Sequence, residues 1–440
     1  MQACWAAAGG LRMQTTAGEM VRVVYPGMRI GSAGPDYTNA VIFFEEGGIV
    51  RGDVELHLRA ADWSRHGHDC DHSYDRVILH VVCTADAGTP TRLTSGVEVP
   101  VAVFDCDAPR ADAALPCGER PGRSESRVRR VLAQAGVARL LLRASSCAAA
   151  SVGVAPWTAL ARRSARALGY SANADVAERL GGLAVEWPVE ELLHERNVDG
   201  RSAVLLGVAG LLPFQRRRCG LAALDEEQGL EPAWRDADAS LPSLDSRLWR
   251  MNGLYPNNAP VRRVVALAWL WPRLAPLAAE APRLVASACG QSRAGAASLE
   301  SWFHVGGDAY WRSHYDYGRC TREADLIGAS QARSLVLNAL MPFVAAQSML
   351  CGDAHGLSLA VRLLASYPPE SGSAVTRQFQ RQIGLGNRQL TASMQQGMLH
   401  ILAHYCGQGL CASCPLAGEA TAPPPGVPWV TDDALTAVAG

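Results

Sequence analysis

Apolar and polar residues alternate along the first hundred residues of the chain, and many of the apolar ones are β-branched. This pattern predicts strands, because side chains on a strand point to opposite faces in turn. The predicted strands cover residues 21–25, 39–44, 50–58, 76–83 and 97–104. Glycines at 47 and 48 separate the second and third of them, which predicts an antiparallel hairpin.

The pattern changes to helical spacing from residue 128 onward. Helices are predicted from 128 through 141 and at 157–168, 174–183, 189–194, 204–212, 261–277, 329–345, 357–366, 374–383 and 390–405. Residues 105–127 are rich in Pro, Gly, Asp and Arg, which is typical of a loop. The chain is therefore predicted to have an α+β fold. A flexible leader (1–17) precedes a mixed β-sheet domain (18–127), a larger, mainly helical domain (128–417) and a Pro-rich disordered tail (418–440).

One predicted strand carries a concentration of ionisable side chains. Strand alternation places Asp53, Glu55 and His57 on one face, and Val54 and Leu56 on the other. Buried charges are costly unless they are paired or bound to a cation. The polar face is therefore the candidate site.

Histidines are crowded around this strand. Of the eleven histidines in the chain, five lie at 57, 66, 68, 72 and 80. His66, His68 and Asp71 offer the imidazole and carboxylate donors of a transition-metal shell. The alternative is a loop anchored by Trp63 with solvated histidines, and we favour it for His72. The segment is also similar to the His-x-His-x-Asp-His motif of the metallo-β-lactamase fold, but its Asp-His pair comes one residue late and the βαβ pattern is missing.

Gly34-Pro35-Asp36 before one hairpin strand, and Glu55-x-His57 on the next, resemble the core of the PD-(D/E)XK nucleases. The resemblance implies a restriction-endonuclease-like fold in which Asp36 and Glu55 bind Mg²⁺ or Mn²⁺. His57 would take the place of the motif lysine; it can bind a metal or act as a base, but it is not a permanent cation. His66 and His68 are further candidates for the base, and Asp71 for a metal ligand.

Several longer segments resemble a bacterial protein family known as domain of unknown function 2851. The resemblance covers most of residues 20–416 and brings no established activity with it. The segments that carry it are 34–40, 52–57, 62–68, 74–82, 249–263, 327–333 with Asn338 and Pro342, and 395–397 leading into Cys406.

Three cysteines near the end form a second candidate site. Cys406, Cys411 and Cys414 have a spacing similar to part of a zinc or iron-sulfur ligand set. The fourth ligand would be Cys351, His400 or His404, and spacing does not distinguish the two cofactors. Some PD-(D/E)XK nucleases hold a cluster through C-terminal cysteines, which agrees with the first resemblance. The alternative is three buried thiols without a ligand.

Composition limits the remaining functional classes. The net charge is −1, and all 41 basic residues are arginine, which excludes a catalytic lysine. The sequence has no uninterrupted apolar run of a membrane span and no clear signal peptide, so we expect a cytoplasmic protein. Arginines at 120–130, 162–166 and 216–218 and aromatics at 302–304 and 310–315 would suit a nucleic-acid partner. Solvated helix surfaces and core packing are the alternatives, and both are favoured here.

The sequence therefore supports the hypothesis of a metal-dependent hydrolase, specifically a nuclease-like phosphodiesterase. An alternative is a non-catalytic module that binds nucleic acid or supports assembly, with a degenerate nuclease core and a structural metal. A third hypothesis is a redox-sensing cluster protein.

Overall fold

The structure is a computed structural model of the chain. It describes residues 1–6, 8–9, 11–29, 34–86, 90–105, 124–221, 229–237, 241–251, 254–372, 374–406, 410 and 413–416. The predicted loop at 105–127 and the predicted tail at 418–440 lie almost entirely outside these residues.

The described chain forms two compact units. The sheet unit contains residues 1–136, 372–390 and 394–416, and the helical unit contains 137–371 and 391–393. The sequence placed this division at 127–128 and assigned everything up to 417 to the helical domain. The difference arises because the C-terminal helices bury their apolar residues with the sheet rather than with the helical core.

The sheet unit is built on a mixed sheet, which agrees with the predicted α+β class. Its strands are β1 (Arg12–Gln14), β2 (Met20–Tyr25), β3 (Met28–Arg29), β4 (Tyr37–Phe44), β5 (Gly48–Arg59), β6 (Val77–Thr84) and β7 (Val101–Val103). Their order is β1-β2-β4-β5-β6-β7, with β3 beside β4. The pairs β5/β6 and β6/β7 are parallel and the others are antiparallel.

The predicted hairpin is confirmed as β4 and β5, joined by a turn at residues 45–47. The pairing register shifts between Tyr37 and Ala40, where Asn39 has a φ of 56°. The Asn39 amide donates to Asp53 Oδ1 at 3.0 Å, so the Asp53 side chain holds this bulge. The strand predicted at 97–104 is shorter than expected, because Pro100 has no amide hydrogen for a ladder.

Helices of the sheet unit are α1 (Gln2–Ala6), α2 (Asp62–Arg65), α3 (Glu125–Ala149, up to Gly136), α16 (Ala374–Gln382) and α17 (Ala392–His404, from Met394). On one face of the sheet, Trp5 is fully buried and packs edge-on against Tyr37 and Phe104. The first residues therefore contribute to the core, which differs from the flexible leader expected at 1–17. The other face packs Val41 against Leu132 of α3 and Met398 of α17.

The helical unit contains α4 to α15 and a short hairpin. Its helices are α4 (Pro156–Leu168), α5 (Tyr170–Ala184), α6 (Val189–Glu195), α7 (Val198–Val208), α8 (Pro213–Arg218), α9 (Leu230–Arg235), α10 (Pro260–Ala288), α11 (Ser292–Ser301), α12 (Ala309–Ser313), α13 (Ala329–Leu335), α14 (Met341–Cys351) and α15 (Ala354–Ser366). The hairpin strands are β8 (His314–Asp316) and β9 (Arg319–Cys320). These helices confirm most of the predicted helical segments.

The helical stretch Ala329–Cys351 is long and apolar enough to cross a membrane by length and composition alone. However, 67% of its most apolar window is buried inside the protein, as in the core helix of a globular domain. Of the aromatic segments, Phe303 and Trp311 are buried in the helical core, as the packing interpretation expects. Arg216 is also buried and forms an ion pair with Asp316 at 2.8 Å.

Gly52 lets β5 and β6 lie close together at the start of their pairing. A Cβ atom on Gly52 would lie 2.2 Å from Ile78 Cγ2 and 2.7 Å from the Arg76 carbonyl oxygen. We therefore expect Gly52→Ala to lower the free energy of unfolding by about 1–3 kcal/mol, the usual cost of overpacking. Urea unfolding of the variant measures this change.

Gly47→Ala is the matched control in the same hairpin. Its Cβ would meet only Phe44 Cβ, at an ordinary 3.5 Å. Equal stability losses in the two variants would contradict the close approach at Gly52.

Candidate metal centre

The centre lies on the face of β5 opposite the Trp5 cluster. Val54 and Leu56 pack with that cluster, so Glu55 and His57 point to the other side of the sheet. Because β5 and β6 are parallel, the chain between them must cross over one face of the sheet. The crossing segment contains α2 and two 3₁₀ turns, and it brings His66 and His68 over Glu55 and His57.

Four predicted donors converge at this point. His57 Nε2 lies 3.5 Å from Glu55 Oε1, and His68 Nε2 lies 3.6 Å from the same oxygen. His66 Nδ1 is 3.1 Å from His57 Nε2. The ligand atoms of the three histidines all lie within 4.8 Å of one another, and among the described residues they are the one group of this kind that could hold a metal ion.

These separations match the coordination shell of a transition metal. Ligands about 2.0–2.1 Å from a tetrahedral ion lie about 3.3–3.4 Å from each other. The separations of 3.1, 3.5 and 3.6 Å in the structure are close to that value. These three separations are therefore compatible with ligands of one ion, and the ring nitrogens of the three histidines lie within 4.8 Å of one another.

Asp36 holds Glu55 in place. Its amide donates to Glu55 Oε2 at 2.8 Å, which leaves Oε1 directed at the histidines. The Asp36 carboxylate accepts hydrogen bonds from the Leu56 amide at 3.3 Å and from the Gln2 side chain at 2.6 Å. The structure thus brings Asp36 and Glu55 together, as the sequence predicted, with both Asp36 oxygens already accepting hydrogen bonds.

Burial changes the protonation of the centre. It raises the pKa of Glu55 to about 8. A hydrogen bond from the Asp36 amide opposes this increase, and repulsion from the Asp36 carboxylate adds to it. Burial lowers the pKa of His57 to about 4, with help from the neighbouring His68 and His66. It also lowers the pKa of His68. At neutral pH these two imidazoles are uncharged, which is the form that binds metal.

His57 is oriented by a line of hydrogen bonds on its other side. His57 Nδ1 lies 2.9 Å from His80 Nε2, and His80 Nδ1 lies 2.7 Å from Thr91 Oγ1. His80 and Thr91 are both buried, and burial lowers the pKa of His80 to about 3. Metal-binding histidines usually have such an outer partner on the second ring nitrogen. No sequence pattern pointed to Thr91, because only the folded loop brings it to His80 of β6.

An aromatic wall encloses the buried side of the centre. Tyr74 stacks on His68 with ring centroids 3.7 Å apart. Trp63 contacts His68 and His80 edge-on or tilted, and its Nε1 donates to the Arg92 carbonyl at 2.9 Å. His66, in contrast, is exposed. The centre therefore opens to solvent on the His66 side.

Other predicted site residues lie elsewhere. Asp71 is exposed and caps a 3₁₀ turn by accepting from the Ser73 amide at 2.8 Å. His72 is also exposed and pairs with Asp75 at 2.8 Å, which agrees with the favoured alternative. Cys406 and Cys414 are buried in the cluster that joins the sheet to its helices, and Cys411 lies outside the described residues. Cys351 is exposed at the end of α14.

Metal binding should depend on pH through Glu55. Because the folded-state pKa of Glu55 is about 8, a cation must displace its proton below that pH. We expect the affinity for Mn²⁺ to rise about tenfold per pH unit from pH 6 to 8 and then to level off, since about one proton is released. Titrations against a chelating dye at pH 6, 7, 8 and 9 measure this slope.

Glu55→Gln is the control for the slope and should bind Mn²⁺ weakly at every pH in that range. A wild-type affinity that stops rising already at about pH 7 would assign the titration to a histidine of ordinary pKa instead. It would contradict the role of Glu55.

Comparison with known proteins identifies a family but no activity. Searches of curated proteins and of solved structures returned no match. The family model described as protein of unknown function DUF2851 matches residues 5–373, which is most of the chain and includes the whole metal centre. The chain therefore belongs to the DUF2851 family.

Proposed function

We propose that this protein is a metal-dependent hydrolase, specifically a nuclease-like phosphodiesterase. The observation that carries the proposal is the convergence of Glu55 Oε1 with the ring nitrogens of His57 and His68, with His66 at the open side. A further observation supports the nuclease assignment: Asp36 and Glu55 lie at the same hairpin. This is the arrangement that the PD-(D/E)XK resemblance predicts.

The donor set favours a transition metal over Mg²⁺. Imidazole suits ions such as Zn²⁺ and Fe²⁺, whereas Mg²⁺ prefers oxygen ligands in an octahedral shell with several waters. Mn²⁺ accepts both oxygen and nitrogen donors. Glu55, His57 and His68 would hold the ion, and we expect Mn²⁺ or Zn²⁺ to support activity better than Mg²⁺.

The residues around the centre would each have a separate role in the reaction, which follows from their positions. A bound cation would lower the pKa of water and neutralise charge that develops on the phosphate. His66, the exposed imidazole, would accept the proton from the attacking water and release it to solvent. Asp36 fixes the Glu55 carboxylate, and Tyr74 keeps the His68 ring in position.

Glu55→Gln should abolish cleavage without unfolding the protein. With a pKa near 8, the Glu55 carboxyl is mostly protonated at pH 7 in the absence of a cation, so glutamine replaces it with a neutral group of similar shape. We expect metal-dependent cleavage of end-labelled single- and double-stranded DNA or RNA to fall by about 100-fold or more. The assay uses anaerobically purified full-length protein with Mn²⁺, Zn²⁺ or Mg²⁺.

Glu46→Gln is the matched control, because Glu46 is exposed in the turn of the same hairpin. It should cleave like the wild type. If Glu55→Gln cleaves equally well, Glu55 is not a metal ligand; if no preparation cleaves any nucleic acid, the nuclease proposal fails and the metal centre needs another role.

One observation favours a second function, a non-catalytic module with a structural metal. Structural zinc sites are closed by four protein ligands, whereas catalytic sites keep a position open. The structure offers four donors, and Glu55, His57 and His68 are buried. If His66 completes the shell, no position is left for a reacting water.

His66→Ala distinguishes the two functions. If His66 is the base, we expect the variant to keep its metal, held by Glu55, His57 and His68, and to lose about 10²–10⁴-fold in cleavage rate. Elemental analysis of the purified variant and its thermal midpoint report retention of the ion. Loss of the metal together with a lower midpoint would instead establish a closed structural site.

A further inference from the structure

A second polar cluster lies in the helical unit and involves none of the metal-centre residues. Arg139 and Arg143 are one turn apart on α3 and so lie on the same side of that helix. Arg163 comes from α4. Among the described residues, Glu370, in the segment that follows α15, is a carboxylate close enough to act on Arg139 and Arg143.

Asn338 connects these groups. Arg143 Nη1 donates to Asn338 Oδ1, and Asn338 Nδ2 donates to Glu370 Oε1 at 2.5 Å. Arg163 Nη2 donates to the Asn338 backbone carbonyl at 3.3 Å. This carbonyl is accessible because Pro342, four residues later, has no amide hydrogen to donate to it.

The local backbone is also unusual. Asn338 lies in a π-helical turn, Val336–Leu340, inserted between α13 and α14. Such turns are rare and occur frequently at functional sites. The Asn338 side chain therefore projects from a part of the helix whose backbone is not regular α-helix.

Several guanidinium groups lie close together in the cluster. Among the described residues, Glu370 is a carboxylate that acts on both Arg139 and Arg143, and the neighbouring Arg166 is paired with Asp175 and Glu178. The Glu178 carboxylate also acts electrostatically on Arg163. Burial lowers the pKa of Arg143 well below its usual value, and repulsion from Arg139 and Arg163 adds to this effect. Neighbouring guanidinium charges repel one another when they are buried, and a bound anion would reduce this repulsion.

Two further properties of the cluster suit a binding site, namely access from solvent and hydrogen-bond donors. Arg139 and Arg143 keep part of their surface exposed, so solvent reaches this side of the cluster. Arg163 is 8% exposed, and its Nε has no hydrogen-bond partner among the described residues. Guanidinium groups bind phosphate oxygens with paired, charge-assisted hydrogen bonds.

We infer that Arg139, Arg143 and Arg163 form a binding site for a phosphate group, either inorganic phosphate or the terminal phosphate of a nucleotide. The inference is independent of the proposed hydrolase activity, since no residue is shared with the metal centre. Glu370 opposes the bound anion and thereby sets its affinity. Asn338 holds Arg143 and Glu370 at fixed positions.

The test is the thermal midpoint and calorimetric affinity of the full chain with sodium phosphate, with AMP, and with sodium chloride at matched ionic strength. We expect phosphate or AMP, but not chloride, to raise the midpoint in a saturable way. Arg143→Gln should weaken binding at least tenfold. Glu370→Gln should tighten it, because it removes the opposing charge but keeps an acceptor for Asn338.

Arg283→Gln is the control, because Arg283 is an exposed arginine of the same unit. It should bind like the wild type. Binding of AMP but not of inorganic phosphate would identify a nucleotide ligand, and the reverse would identify free phosphate. Equal responses of wild type and Arg143→Gln, or weaker binding by Glu370→Gln, would overturn the inference; the Glu370 variant decides the matter if Arg143→Gln does not fold.

Discussion

The burial of Glu55 is the constraint on which the metal centre depends. A carboxylate enclosed on the sheet face must be protonated, hydrogen-bonded or bound to a cation. The fold gives one of its oxygens an amide from Asp36 and directs the other at two imidazoles. Since those imidazoles are neutral, they do not compensate the charge themselves. Below about pH 8 a proton neutralises Glu55, and a bound cation would take the place of that proton.

The candidate site was predictable where it follows from local pattern. The two-residue period of β5 gave the shared face of Glu55 and His57, and the turn glycines gave the hairpin that brings Asp36 near. The sequence alone did not decide whether His66 and His68 approach Glu55 and His57, because that approach depends on the parallel pairing of β5 with β6. His80 and Thr91 act through that same pairing, so no local motif marks their role.

The helical unit illustrates the opposite case. Helical spacing predicted most of its helices, but α7 begins six residues before the predicted start, where Asn197 caps it by accepting from the Gly200 amide. The arginines at 162–166 looked like a solvated surface. Arg163 is buried instead, because partners 175 residues away at Asn338 determine its environment. Sequence periodicity identifies a helix face, but not what the fold places against it.

The line from His57 through His80 to Thr91 has a direction. Each ring shares one hydrogen with its neighbour, so a cation on His57 Nε2 requires His57 Nδ1 to be the donor. His80 Nε2 must then accept, its Nδ1 must carry the hydrogen, and the Thr91 oxygen must accept in turn. A cation bound to His57 would thus fix the tautomer of the buried His80, which solvent does not reach.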